Sequence, residues 1–345
     1  MGVSSALGSS ALLPAGLGFR NKLINGDFRI NQRGFSSTTT SGAYGLDRWY
    51  FQTNTGTGTY SRQTFTTGSP AASGFESEAF ARVVSVSQTG SFAFLVFSQK
   101  IEDVRNCAGA TVSISFYAKA ASGNPKVAVE LEQNFGSGGS PSATVTNYVG
   151  QVTLSTSWQL HTLVFNLPSI AGKTIGTTAN TSSLVLNLWC SAGTDFNART
   201  GSLGVQNNTF DFWGVQVEQN YQPTPFEQRP IGVELALCQR YYQHWVTGTT
   251  GGNQIGFGNG FNATSIYPVV EFRQQMRGAP NALTWSGLRV NDVTTSINAT
   301  AVALEQIGVD GVRLQVTVAS GGVQYRGYAL EAGSAGSFLG ISAEL

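Results

Sequence analysis

Ten residues, Thr111 to Ala120 (TVSISFYAKA), restrict the fold of this chain more than any other stretch. Val112, Ile114, Phe116 and Ala118 fall on one face, Ser113, Ser115 and Lys119 on the other. A period of two with one polar face is the pattern of an antiparallel strand packed on one side. It returns in KVAVELEQ, where Val127, Val129 and Leu131 share a face. Further strand runs stand at SWQLHTLVFNLP (157–168) and SLVLNLWC (183–190). Clusters of Gly, Pro, Ser and Asn separate them, as at GSPAASG (68–74) and NFGSGGSPS (134–142). Many short strands divided by turns predict a sandwich or barrel over residues 21–230.

Composition agrees with an all-β chain of about two domains. Only 11% of the 345 residues are charged, against roughly 25% in ordinary globular proteins, and 42 are glycine. Such polar, uncharged, turn-rich surfaces suit virion and adhesion proteins better than a cytosolic α/β enzyme. The net charge is +1 and no lysine or arginine run occurs. Clustered cations, which nucleic-acid binding and polybasic membrane contact both need, are absent. No apolar run reaches the roughly 18 residues of a membrane span. The three cysteines, Cys107, Cys190 and Cys238, are odd in number and widely spaced, so free, buried thiols are expected. The first cation is Arg20, which speaks against a secretory signal. Residues 1–20 are small and apolar: a loose tail, or a docking peptide that orders against a neighbouring subunit.

Beyond Pro230 the pattern changes. Ile231, Leu235, Cys238, Tyr242 and Trp245 are spaced 4, 3, 4 and 3 apart, an a/d seam over two heptads. The spacing predicts a connecting helix over 231–245, packed on its own domain or bundled with copies of itself. Residues 246–345 predict a C-terminal small β-sandwich, entered through a glycine-rich loop, TGTTGGNQIGFGNGF (247–261).

Several segments, in order, carry a resemblance. KLINGDFRINQRG (22–34) and YGLDRWY (44–50) come first. SFYAKA, STSWQL and FWGVQVEQ follow, then PFEQRPIGVELALCQRYYQ (225–243), FRQQMRGAP (272–280) and the terminal ISAEL. Together they resemble tailed-bacteriophage tail-fibre and receptor-binding virion proteins that contain a jelly-roll domain like that of carbohydrate-binding modules. The resemblance covers roughly residues 20–345, and its motifs are structural rather than catalytic. It implies an N-terminal jelly-roll β-sandwich and a virion location after assembly in a bacterial cytoplasm. It also implies a homotrimer, attachment to other virion proteins through residues 1–20, and a host-surface glycan as ligand. No cofactor is required. Such modules often hold a structural calcium between carboxylates near the first and last strands, and Asp27 and Glu218 are the matching acids.

The residues themselves favour binding over catalysis. His161 and His244 are the only histidines, and neither neighbours a nucleophile elbow or a paired metal ligand. Glu130 and Glu132 lie on one strand face, whereas a glycosidase needs carboxylates facing each other across a cleft. Sugar binding needs exposed aromatic faces beside amides. The candidates are Trp49 and Tyr50 in the first unit, and Asn253, Gln254, Phe257, Asn259 and Phe261 in the glycine-rich segment. The leading expectation is a non-enzymatic, fibre-like subunit that mediates adsorption. Its rivals are a head-decoration or tail-adaptor subunit without ligand, and a glycan-cleaving tailspike.

Overall fold

A computed structural model describes residues 19–72, 74–246 and 251–345; the expected docking segment, residues 1–20, falls almost wholly outside them. The chain is all-β. Its first unit runs through β1 (Ser37–Thr38), β2 (Tyr50–Asn54), β3 (Thr57–Thr64), β4 (Ala79–Val86), β5 (Phe94–Glu102) and β6 (Thr111–Ala120). It continues through β7 (Lys126–Asn134), β8 (Val145–Thr153), β9 (Gln159–Asn166), β10 (Ser183–Ala192), the single-turn helix α1 (Asn197–Thr200) and β11 (Thr209–Glu218). One sheet is ordered β1-β3-β4-β11-β6-β9 and the other β2-β5-β10-β7-β8. The alternating residues of β6 meet those of the opposite sheet: Val112, Ile114, Phe116 and Ala118 are buried with Phe97, Leu131 and Leu186.

The polar face of β6 is not wet, as alternation alone would have it. Ser113 and Ser115 are buried as well. Their cross-strand partners, Glu218 and Gln216, lie beneath the segment that leaves β11. Gln216 donates to the carbonyl of Thr224 at 3.2 Å and accepts from the amide of Glu227 at 2.8 Å.

The opening segment, 21–34, forms no strand; isolated backbone bonds and side chains hold it instead. Lys22 N donates to Val217 O and Val215 N to Gly26 O, at 2.8 and 2.9 Å. Gly26 is required there, since a Cβ would sit 2.2 Å from Val215 O. Asn25 ties the turn: its side chain donates to Ile30 O and Asp47 O and accepts from Ile30 N. The buried Arg229 guanidinium donates to the carbonyls of Leu23 and Asn21 and pairs with Glu234 at 3.2 Å. Glu234 also accepts the Asn25 amide. Opening and exit motifs are thus two halves of one buried polar cluster.

The connecting helix is shorter than expected. α2 spans Ile231–Gln239, and Tyr242–Val246 is a strand, β12. The run Tyr242 to Val246 is rich in residues that favour strands, and its backbone pairs with Phe338–Ser342. The five seam positions therefore share no helical face. Ile231 is 55% exposed, Cys238 is buried, and Tyr242 and Trp245 lie buried on the strand. The spacing of 4, 3, 4 and 3 is coincidental beyond Cys238.

The small sandwich expected for 246–345 is built of two sheets, one closed on itself. After β12 come β13 (Gln254–Gly260), β14 (Ser265–Glu271), β15 (Ala282–Ser286), β16 (Leu288–Asn291), β17 (Ser296–Ile307), β18 (Gly311–Val318), β19 (Gly327–Ala332) and β20 (Phe338–Ser342). The order β13-β14-β18-β17-β16-β19 closes a barrel, and β12-β20-β15 form a separate sheet. Ile266, Val270, Val290, Leu314, Val316, Leu330, Leu339 and Ile341 fill the core between them. No helix among the described residues is long and apolar enough to cross a membrane.

The two units meet at a buried ion pair. Glu344, just past β20, accepts from Arg48 and, at 3.2 Å, from Arg33. The Arg48 guanidinium lies 3.4 Å from the ring centre of Tyr241, and that of Arg33 lies 3.7 Å from Tyr242. Arg240 and the Tyr241 hydroxyl both donate to Glu102, at 2.8 to 3.0 Å. Arg48→Ala would leave the buried Glu344 carboxylate to Arg33 alone, a loss of up to about 3–5 kcal/mol for such a pair. Denaturant unfolding should show it, whereas Arg105→Ala, in the exposed pair with Asp103, should leave the midpoint where it is.

Candidate functional site

Two concave surfaces bring polar and aromatic side chains together. The first lies on the outer face of the sheet β2-β5-β10-β7-β8 and encloses about 400 Å³. Period-two alternation explains its lining. Residues whose neighbours point into the core point out here: Tyr50 and Gln52 from β2, Lys100 from β5, Glu132 and Asn134 from β7, Asn187 and Trp189 from β10. The turn around α1 closes one end with Phe196 and Arg199.

Charge in this groove is partly paired. Arg199 donates to Glu130 at 2.7 and 2.9 Å and to Glu132 at 2.8 Å. Glu130 is fully buried and also accepts from Asn187 at 2.9 Å and the Trp189 indole at 3.0 Å. Burial pushes the Glu132 carboxyl up against the pull of Arg199. Burial, aided by Arg48, pushes the Lys100 ammonium down. Lys100 spends one donor on Leu345 O, at 2.7 Å. The Gln52 carboxamide is exposed to solvent, and Asn134 uses only its oxygen, for the amide of Gly136. One guanidinium holds both glutamates on one strand, so they do not flank a cleft as an acid and base would.

The second surface lies on the barrel and encloses about 600 Å³. Of the segment expected as a glycine-rich loop (247–261), residues 247–250 lie outside the described residues and Gln254–Gly260 form the strand β13, paired on both sides by β14 and β19. Its glycines let it lie close to β14: a Cβ on Gly258 would meet Tyr267 O at 2.0 Å. Gln254, Phe257 and Asn259 line the cleft together with Asn291, Asp292, Val293, Tyr328 and Glu331. Of the expected residues, Asn253 and Phe261 stand outside it. Asn253 gives its carbonyl to Ala332 N, and Phe261 packs edge-on against Tyr267 at 5.7 Å.

The first-unit aromatics separate. Trp49 is wholly buried, stacked on Phe97 at 4.8 Å, with its indole donating to Asn25 O at 3.0 Å. It is a core residue and cannot reach a ligand. Tyr50, its neighbour on the other face, is 7% exposed and lines the groove. Sequence reasoning missed Gln52, Lys100, Asn134, Arg199, Asn291 and Asp292. The outward register of β7, already visible in Glu130 and Glu132, was the one available signal.

The expected calcium pair does not fit an ion. Asp27 pairs with Arg29 at 2.9 Å, and Glu218 with Arg20 at 3.5 Å. Glu218 is further filled by donors from Gln216 and Thr224 at 2.6 to 3.0 Å. A carboxylate already facing a guanidinium and several donors offers a divalent cation little. Among the described residues no group of three or more His, Cys, Asp or Glu is placed to hold a metal.

No family model matches the chain, and no curated protein matches it. Among solved structures, one described as "CBM4 structure and function" is 17% identical, with a TM-score of 0.33 over 57% of this chain and 98% of its own. The family 11 carbohydrate-binding module of Clostridium thermocellum, solved with a β-1,3-1,4-mixed-linked tetrasaccharide, is 10% identical, at 0.32 over 55% and 99%. The enzymatically active domain of bacteriophage CBA120 tailspike protein 4 is 13% identical, at 0.32 over 58% of this chain and 22% of that one. Likenesses of this size carry no argument about ligand or activity.

Burial lifts the Asp27 carboxyl to about 6 against the pull of Arg29. A folded pKa above the unfolded one means tighter proton binding in the folded state. The associated stability is full below about pH 4 and is lost as pH rises through about 6. Asp27→Asn should therefore remove a decline of up to about 3 kcal/mol in unfolding free energy between about pH 4 and pH 7. Denaturant titrations of both proteins at the two pH values check it. Calcium or a chelator should leave the melting temperature of the unsubstituted protein unchanged.

Proposed function

We propose that this protein is a non-enzymatic, fibre-like virion subunit of a tailed phage that recognises a host-surface glycan through the groove of its first unit. One observation carries the reading. Open amide, ammonium and carboxylate groups from Gln52, Asn134, Lys100 and Glu132 surround the rings of Tyr50, Phe94 and Phe196 in one depression. Side-chain amides and charges bond sugar hydroxyls, and ring faces and edges cover the apolar side of a pyranose. The virion assignment, the homotrimer and attachment through residues 1–20 rest on the motif resemblance. Single contacts of this kind are weak, and many copies on one particle make them effective.

Fluorescently labelled protein should bind host cells saturably, and periodate oxidation of the surface glycans should abolish that binding. Gln52→Ala with Lys100→Ala should weaken it about tenfold, equivalent to about 1.4 kcal/mol. Folded protein that shows no saturable binding, or binding that periodate does not touch, contradicts the proposal.

A further inference from the structure

The barrel cleft differs from the groove in chemistry, and its charges are all spoken for. Asp292 accepts from Thr294 and Thr295 and pairs with Arg326 at 2.7 Å. Hydrogen bonds from Thr294 and Arg326 hold its carboxyl down at about 2. Glu331 is buried and accepts from Arg289 and Asn291, both at 3.1 Å. The groups left to face solvent are neutral: the exposed carboxamides of Gln254 and Asn259, and the Phe257 ring, which is 60% exposed. The cross-strand neighbours of Phe257 are Val269 and Ala329, so no polar partner claims its ring.

Two further side chains, Val293 in the cleft lining and Tyr325 two residues before the lining residue Gly327, stand exposed at a conformational cost. Val293, in the turn between β16 and β17, is 96% exposed with φ +78°. A β-branched residue rarely adopts that region, and neither burial nor packing of its own side chain repays the strain. Tyr325 is 83% exposed at φ +63°, its amide bonded to Gly260 O at the end of β13. Its neighbour Arg326 reaches Asp292. Strain of this kind is kept where a ligand or partner uses the residue.

We infer that this cleft is a second saccharide site, in the C-terminal unit, that takes a short uncharged oligosaccharide. Phe257 supplies the stacking face, Gln254 and Asn259 bond hydroxyls, and Val293 lines the site beside them. A volume near 600 Å³ lies within the range of small-molecule sites. A charged sugar finds no unpaired counter-charge here and would lose its hydration uncompensated. The site is independent of the groove that carries the proposed adsorption, so either can fail alone.

Saturation-transfer NMR on the full chain tests it, with maltotetraose, cellotetraose and chitotriose as neutral probes and trigalacturonate as the charged one. At least one neutral probe should bind saturably. Phe257→Ala should weaken it tenfold or more and Asn259→Ala three- to tenfold, with melting temperatures unchanged because both residues are exposed. Lys100→Ala, in the other groove, should leave this binding as it was. Neutral-probe binding indifferent to both barrel substitutions overturns the inference, as does failure of every neutral probe to bind. Trigalacturonate binding that Phe257→Ala removes overturns the uncharged specificity. A change of oligomeric mass in Phe257→Ala, without loss of saccharide, would make this face a contact between copies.

Discussion

The arrangement of the two units depends on one buried ion pair. The Arg48 side chain has no exposure to speak of, and taking a guanidinium out of water costs several kcal/mol. Three neighbours offset that cost: the Glu344 carboxylate, Lys100 O at 2.6 Å and the Tyr241 ring. The three come from distant parts of the chain. Glu344 lies beyond the last strand, Lys100 on a central strand of the sandwich, and Tyr241 in the turn after α2. A buried pair of this kind adds little net stability over an apolar equivalent, and its value lies in position. It admits one register of the C-terminal segment against the sandwich, and β12 and β15 follow because both pair with β20.

The same principle explains why five short segments of the chain converge in space. LINGDF and LDRW near the start, FEQRPIGVE and CQRYY about 180 residues on, and ISAEL about a hundred beyond are adjacent in space. Asn25 links the first to the second, Arg229 and Glu234 link the first to the third, and Arg48 links the second to the last two. A polar group in that region left without its partner would be buried and unsatisfied. The residues therefore depend on one another, and they describe a joint rather than a ligand.

Charge economy also separates the two concave surfaces. With charged residues at 11% of the chain, nearly every carboxylate near a depression already has a guanidinium. In the groove of the first unit, Lys100 and one oxygen of Glu132 remain available beside the Arg199 pairs. In the barrel cleft the pairing is complete, and the solvent-facing chemistry reduces to amides and rings. The two surfaces therefore present different chemistry to solvent although both are aromatic and polar.

Strand alternation made the all-β class, the core face of β6 and the inward residues of β7 legible in the sequence, because side-chain direction in a strand is a local property. The same locality put Phe257, Gln254 and Asn259 among the binding candidates: glycines beside them signalled a ring with little to bury it. Trp49 was misassigned because adjacent strand residues face opposite ways, and nothing local says which face is the core. The seam beyond Cys238 failed because Tyr242 to Val246 gains more from pairing with β20, about a hundred residues away, than from another turn of helix. Asp27 and Glu218 could be matched by position, but only the fold brought Arg20 against Glu218 and turned Arg29 and Thr224 onto the two acids. Sequence alone determined which residues could be inward, outward or turning. Tertiary structure decided which charges met and which were left for a ligand, because ion pairs and hydrogen bonds form between groups that only folding brings within 3 Å.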